Sequence, residues 1–174
     1  MTSESARLPL FQIARDSYGA MGRFAQTVTQ GALRSGVEEE IVHLVKIRVS
    51  QVNGCAYCVD MHTIDAAAAG ITPQRMYLLD AWRHSPRFFS AREQAALGLA
   101  EAITRLGSDA VGDEVYLRAR THFTEDQTAH LIFVATVMNA WNRLALSARL
   151  APGAYRGRPR PDAAVPQAHA GSTP

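Results

Sequence analysis

Apolar residues recur with a helical period along almost the whole chain, and this pattern constrains the fold more than any other feature of the sequence. The prolines before residue 152 are Pro9, Pro73 and Pro86 alone, which leaves room for long helices. No Asn-Gly or Asp-Gly pair joins two alternating runs, as a β-hairpin would require. The sequence therefore predicts an all-α, single-domain bundle of about six helices.

Capping residues and glycines set the predicted helix boundaries. Capping-box spacing occurs from Ser35 to Glu38, from Ser90 to Glu93 and from Thr124 to Gln127, and each box predicts a helix start. Pro73 is suited to the first position of another helix, and Gly54 and Gly70 are suited to helix ends. The better defined predicted helices cover about residues 10–34, 55–69, 90–106, 113–123 and 124–150.

The sequence predicts a core domain, residues 1–151, and a tail, residues 152–174, which differ in net charge. The formal net charge is +2, and the tail carries all of it through Arg156, Arg158, Arg160 and Asp162. A neutral core argues against a nucleic-acid partner, which would require a basic face. The tail has no apolar period, so we expect it to be disordered.

Targeting and membrane-spanning segments are not evident in the sequence. Residues 1–20 lack the basic start and apolar stretch of a signal peptide, and the longest apolar-rich run, residues 129–141, is too short to span a bilayer. We therefore expect a cytoplasmic protein without a membrane partner. In a reducing compartment, the close pair Cys55 and Cys58 is expected to be redox-active or metal-binding rather than a structural disulfide.

The most informative residues are Cys55, Cys58 and His62, which follow Gly54. At about 100° per residue, they fall within a sector of about 60° on one helix face. A helix N-terminus favours a thiolate over a thiol, His62 can assist proton transfer, and the spacing permits an intrahelical disulfide. The alternatives are two buried cysteines that act as small apolar residues and a histidine that is only structural.

Around these residues, the segment IVHLVKIRVSQVNGCAYCVDMHTIDAAAAG resembles the core signature of the AhpD-like alkylhydroperoxidases, within the carboxymuconolactone decarboxylase superfamily. The similarity continues through RMYLLDAWRHSPRFFSAREQAALGLAEAIT and VMNAWNRLALSARL, and it covers about residues 11–150. The decarboxylases of that superfamily generally lack the paired cysteines. The resemblance implies an all-helical homo-oligomer, a trimer or hexamer, that reduces small hydroperoxides.

The resemblance also implies residue roles. Cys58 is the peroxidatic cysteine and passes through sulfenic acid, Cys55 is the resolving thiol, and His62 belongs to a proton relay. The oxidised pair is regenerated by a dithiol reductant of the thioredoxin or lipoyl kind. No cofactor or metal is expected.

One position departs from the family pattern. The family usually carries a glutamate twelve residues before the first cysteine, and here that residue is His43. A neutral imidazole can serve as the relay base, but it supplies no fixed negative charge. Glu40 is a nearby acid, although it is out of register. The departure leaves open a second function, a redox-sensing or disulfide-relay oligomer without efficient peroxidase turnover.

A metal site is a further alternative at the same residues. His43, Cys55, Cys58 and His62 together make a Cys₂His₂ set, but three ligands on one helix at this spacing are cramped for a structural zinc. Elsewhere, Asn142 and Arg143 interrupt an apolar helix, and we expect them to hydrogen-bond buried carbonyl groups or an oligomer partner.

Overall fold

The computed structural model describes residues 7–108 and 110–157. Within these residues the protein is all-α, with no strand and an isolated β-bridge between Gly107 and Ala110. The all-α prediction is confirmed. The elements in chain order are α1 (Leu10–Ile13), α2 (Arg15–Arg34), α3 (Glu39–Val52), α4 (Ala56–Ala68), α5 (Pro73–Leu78), a 3₁₀ helix (Leu79–His84), α6 (Ala91–Arg105), α7 (Asp113–His122) and α8 (Glu125–Ser147).

The described residues thus contain eight α-helices, more than the six or so predicted. One reason is a break at Ala14, whose backbone leaves the helical region and divides the predicted N-terminal helix into α1 and α2. No helix in the described part of the chain has the length and hydrophobicity that a membrane span needs.

Two of the three predicted capping boxes are present. Ser90 and Glu93 cap α6 reciprocally, and Thr124 and Gln127 cap α8 in the same way. The box predicted from Ser35 to Glu38 is wrong, because the Ser35 hydroxyl donates back to the carbonyl of Ala32 at the end of α2. α3 instead begins after Glu38, without a side-chain cap.

α3 is the central helix and packs against α4, α6 and α8. Its apolar residues enter two hydrophobic clusters: Ile41, Val42, Val45 and Val49 belong to the larger one, and Leu44 and Ile47 to the smaller one. A helix that is buried on several sides has little freedom to shift, so the chain that follows α3 starts from a rigid support. That chain is α4, which carries the paired cysteines.

The predicted tail, residues 152–174, lies only in part within the described residues. Residues 152–157 lie against α4, where the backbone N–H of Gly153 donates to Asp60 Oδ2 at 2.8 Å. Residues 158–174, on which most of the expected disorder falls, lie outside the described residues.

Candidate active site

The paired cysteines stand where α3 turns into α4. Asn53 ends α3, and Gly54 has a φ of +67°, a left-handed conformation that glycine adopts without strain. Cys55 is the N-cap residue of α4, one position before the first turn, and its Sγ accepts a hydrogen bond from the Cys58 backbone N–H at 3.4 Å. A sulfur in this position interacts with orphan amides and with the positive end of the helix, and both favour a thiolate.

Cys55 and Cys58 form a disulfide, with their Cα atoms 5.3 Å apart. Both cysteines are buried, with exposed fractions of 1% and 2%, and both belong to the larger hydrophobic cluster. The structure therefore pairs the two residues that the sequence singled out, and it shields the bond between them from solvent.

His62 lies one turn beyond Cys58 on α4 and is buried, with 7% of its surface exposed. It lines a cleft of about 160 Å³ between α2, α3 and α4. His43 of α3 lines the same cleft, so the structure brings the two predicted relay histidines together. The other lining residues are Thr29, Leu33, Glu39, Val42, Lys46, Asp65, Ala68 and Ala69.

The cleft suits a small reactant. A water molecule occupies about 30 Å³ of the liquid, so the space admits a few waters or a small organic molecule. The cysteines are not among the residues that line it. Of the site residues predicted on the cysteine-bearing helix, His62 thus lines the cleft and the two cysteines do not.

Burial lowers the pKa of His43 below its usual 6.5, and the positive charge of Lys46 lowers it further, while the negative charges of Glu39 and Asp65 act in the opposite direction. The imidazole Nε2 is 3.7 Å from Glu39 Oε1. Its Nδ1 is buried and makes no hydrogen bond to the described residues. His43 is therefore neutral at physiological pH, the form in which it can accept a proton.

Glu40 does not contribute to the cleft. Its carboxylate pairs with Arg75, which also binds Glu93 at 2.5 Å. Helical rotation directs the neighbouring residue, Glu39, into the cleft instead. The acidic groups near His43 are therefore Glu39 and Asp65, neither of which the sequence reasoning identified.

No group of three or more histidine, cysteine or acidic residues within the described ranges is arranged to hold a metal ion. The disulfide also occupies both sulfur atoms of the alternative Cys₂His₂ set.

A known protein family matches the part of the chain that contains this site. The model of the carboxymuconolactone decarboxylase family matches residues 16–102, which include α2, α3, α4 and the paired cysteines. The chain belongs to the carboxymuconolactone decarboxylase family. Its helical fold and its cysteine motif place it in the AhpD-like group of that superfamily.

Relatives of this carboxymuconolactone decarboxylase family member include YdfG of Bacillus subtilis, which is 41% identical over 143 residues, 82% of this chain and 94% of YdfG. A solved structure, ATU0492 of Agrobacterium tumefaciens, is a protein of unknown function proposed to be the antioxidant defence protein AhpD. It has a TM-score of 0.76 and 28% identity, and the match covers 86% of this chain and 99% of that one. The debrominase Bmp8 shares the fold, with a TM-score of 0.72 and 18% identity over 83% of this chain and 75% of its own.

Two polar networks in this family member support the cysteine turn. In the first, Asn53 Nδ2 donates to Asn139 Oδ1 and to Asn142 Oδ1, each at 2.9 Å, and Asn142 Nδ2 donates to Ser50 Oγ at 3.2 Å. This network ties the end of α3 to α8. The sequence predicted that Asn142 and Arg143 bind buried carbonyl groups or an oligomer partner. The partners of Asn142 are side chains instead, whereas Arg143 Nη1 donates to the carbonyl of Asn139 at 2.9 Å.

The second network surrounds the buried carboxylate of Glu101 on α6. Arg48 Nε donates to Glu101 Oε1 at 2.6 Å, Trp82 Nε1 donates to the same oxygen at 2.9 Å, and Arg83 and Arg105 bind the other oxygen. Burial alone raises the pKa of Glu101, but hydrogen bonds from Trp82, Arg48 and Arg83 outweigh burial and lower the pKa to about 2. Arg48, part of the family signature, thus anchors α3 to α6.

Proposed function

We propose that this protein is a thiol-dependent peroxidase that reduces small hydroperoxides. The observation that carries the proposal is the Cys55–Cys58 disulfide at the N-terminus of α4, with His62 one turn beyond it. A redox pair at a helix N-terminus has the surroundings that make a cysteine nucleophilic. Membership of the AhpD-like group supports the same chemistry.

In the proposed reaction, the Cys58 thiolate attacks the terminal oxygen of the hydroperoxide. An S–O bond forms, the O–O bond breaks, and the alkoxide takes a proton to leave as an alcohol. Cys55 then attacks the sulfenic sulfur of Cys58, so that an S–S bond forms and water leaves. A dithiol reductant, thioredoxin-like or lipoyl-like, returns the pair to thiols and is itself oxidised to a disulfide.

The two histidines of the cleft move the proton in this scheme. The thiol proton of Cys58 passes to a neutral imidazole, and the same proton returns to the alkoxide. His62 stands on the cysteine helix, and His43 lines the same cleft with the lowered pKa that a neutral base needs. The cleft volume of about 160 Å³ suits a small hydroperoxide, which meets Cys58 after the N-terminal turn of α4 opens, since neither cysteine lines the cleft.

The proposal includes a homo-oligomer, a trimer or hexamer, in the cytoplasm, where a dithiol pool is present. Because both cysteines are buried and neither lines the cleft, the reductant reaches the disulfide after a local opening of the N-terminal turn of α4.

A steady-state assay tests the proposal. Reduced protein is mixed with hydrogen peroxide or tert-butyl hydroperoxide and with excess dithiothreitol, and peroxide loss is followed over many turnovers. We expect catalytic consumption by the wild type and none above background by Cys58→Ser. Consumption that stops at one equivalent per protein would contradict a peroxidase.

That outcome would favour the second candidate, a redox-sensing or disulfide-relay oligomer. Two observations favour it: both cysteines are buried, and His43 stands at the position of the usual family glutamate. A sensor forms its disulfide once and keeps it until it meets a partner, so single-turnover oxidation without sustained turnover distinguishes the two functions.

A further inference from the structure

The chain after α8 returns across α4 and contacts one residue of the cleft wall, Asp65. We call residues 151–157 the C-terminal strap. Two hydrogen bonds hold it to α4: Gly153 N–H donates to Asp60 Oδ2 at 2.8 Å, and the Tyr155 hydroxyl donates to Asp65 Oδ1 at 2.8 Å. Gly157 lies against the side chain of Ile64 on the same helix.

Of these two carboxylates, only that of Asp65 belongs to the cleft. Asp65 follows His62 by almost one turn of α4 and lines the cleft with His62 and His43, whereas Asp60 is not among the lining residues. Asp65 therefore belongs both to the strap contact and to the cleft wall. Its Oδ1 is bound by Tyr155, which restricts where the rest of the carboxylate can go.

We propose that Tyr155 is a positioning residue that holds the Asp65 carboxylate in the cleft, where Asp65 provides the fixed negative charge that His43 cannot supply. This inference rests on the proposed function, because it assigns Asp65 and Tyr155 to the proton relay of that reaction.

Charge placement gives the physical reason. The family position on α3 ordinarily holds a carboxylate, and here it holds an imidazole. The charged and titratable groups facing His43 are Glu39 and Lys46 on α3 and Asp65 and His62 on α4. Glu39 lies 3.7 Å from His43 and raises its pKa more than Asp65 does, but its side chain is 63% exposed, so salt screens its charge more. Asp65 is half-buried and tethered, so its charge acts from a defined place.

Asp65 stabilises the imidazolium form of His43, which raises its pKa against the opposing effects of burial and Lys46. A base whose pKa falls too far no longer takes a proton efficiently, since proton-transfer rates follow base strength. Holding Asp65 in the cleft thus keeps the half-buried His43 basic enough to serve in the relay.

An NMR titration of the full-length chain tests the inference without any assay of activity. The protein is kept in its disulfide form so that no thiol titrates, and the His43 ring signal is assigned with His43→Gln. The variants are Asp65→Asn, which keeps a hydrogen-bond acceptor for Tyr155, and Tyr155→Phe, which removes only the hydroxyl. Asp60→Asn is the matched control, because it removes an equal charge beneath the same strap but outside the cleft.

We expect the pKa of His43 to fall in Asp65→Asn, to fall by less in Tyr155→Phe, and to stay at the wild-type value in Asp60→Asn. An unchanged His43 titration in Tyr155→Phe would overturn the positioning role, and so would an equal fall in Asp60→Asn. If the titration behaves as expected while the wild type consumes no peroxide catalytically, the proposed function fails and the electrostatic link stands.

Discussion

His43 and His62 face one cleft from two different helices, although nineteen positions separate them along the chain. α3 and α4 pack closely after the Gly54 turn, so the histidine that replaces the usual family glutamate still reaches the helix that carries the cysteines. A change of residue type at position 43 therefore changes the chemical group in the cleft wall, while the place of that residue on α3 is kept.

Peroxide treatment of the reduced wild type should produce the Cys55–Cys58 disulfide, a loss of two mass units that intact-protein mass spectrometry detects. In Cys55→Ser no resolving thiol remains, so Cys58 should accumulate as sulfenic acid that dimedone labels, or as higher oxides. Oxidation of Cys58 in Cys55→Ser only after denaturation would show that Cys58 is not the peroxidatic residue.

His43 should control the acid limb of the pH–rate profile. The base must be neutral, and burial and Lys46 lower its pKa, so activity should decline as pH falls through a value below 6.5. His43→Ala should reduce the rate by about 10²-fold, the usual effect of losing a general base. His43→Glu should retain activity and move the acid limb towards carboxylate pKa values.

Two other results with His43 are informative. A gain of peroxidase activity in His43→Glu over a nearly inactive wild type would favour the redox-sensor function. Identical rates and profiles in wild type, His43→Ala and His43→Glu would mean that His43 only fills space.

Glu101→Gln should destabilise the fold by about 3 kcal/mol at pH 7, because the buried Arg48 would lose its buried charged partner and keep only Asp80, whose side chain is 79% exposed. The folded-state pKa of Glu101 is about 2, below the ordinary 4.5, so its contribution is present above pH 4.5 and is lost as pH falls towards 2. Urea unfolding should therefore show a smaller difference from wild type at pH 3 than at pH 7. Glu125→Gln, whose carboxylate is 92% exposed, is the control and should change the free energy of unfolding by less than about 0.5 kcal/mol.

Asn142→Ala should cost about 1–3 kcal/mol, because the half-buried amide of Asn53 and the buried hydroxyl of Ser50 lose a partner. Asn53 directly precedes the cysteine turn, so disulfide formation by peroxide should also slow. Thr136→Ala, on the exposed face of α8, should change neither quantity measurably. Equal effects of the two substitutions on the oxidation rate would show that the hydrogen bonds between Asn53 and Asn142 do not support the turn at Gly54.

Light scattering should find a trimer or hexamer at micromolar concentration, as the AhpD-like resemblance implies. Deletion of residues 158–174 should leave both the oligomeric state and the helical circular dichroism unchanged, since the helical apolar period of the sequence ends before them. A monodisperse monomer would contradict the expected assembly.

Local interactions made much of this protein predictable from its sequence. A capping box connects residues three positions apart, so the boxes that begin at Ser90 and Thr124 predict the starts of α6 and α8 from local sequence alone. The helical period likewise predicts Cys58 and His62 on one face of a helix, whereas Cys55 is the N-cap residue of α4 and is joined to Cys58 by the disulfide. Where two local signals compete, as at Ser35, sequence reasoning failed: this residue still has helical backbone angles, so its hydroxyl serves the end of α2 instead of the start of α3.

The surroundings of the site were decided by tertiary packing. Whether Glu39 or Glu40 lines the cleft depends on how α3 is rotated against its neighbours. Glu39 lines it, and Glu40 forms an ion pair with Arg75 instead. Arg48 and Glu101, which are in contact, lie 53 positions apart in the sequence. Tyr155 and Asp65, which are also in contact, lie 90 positions apart. No local pattern encodes such pairs, because they form only when segments distant in the chain pack together. A charged group that packing removes from water then needs a partner.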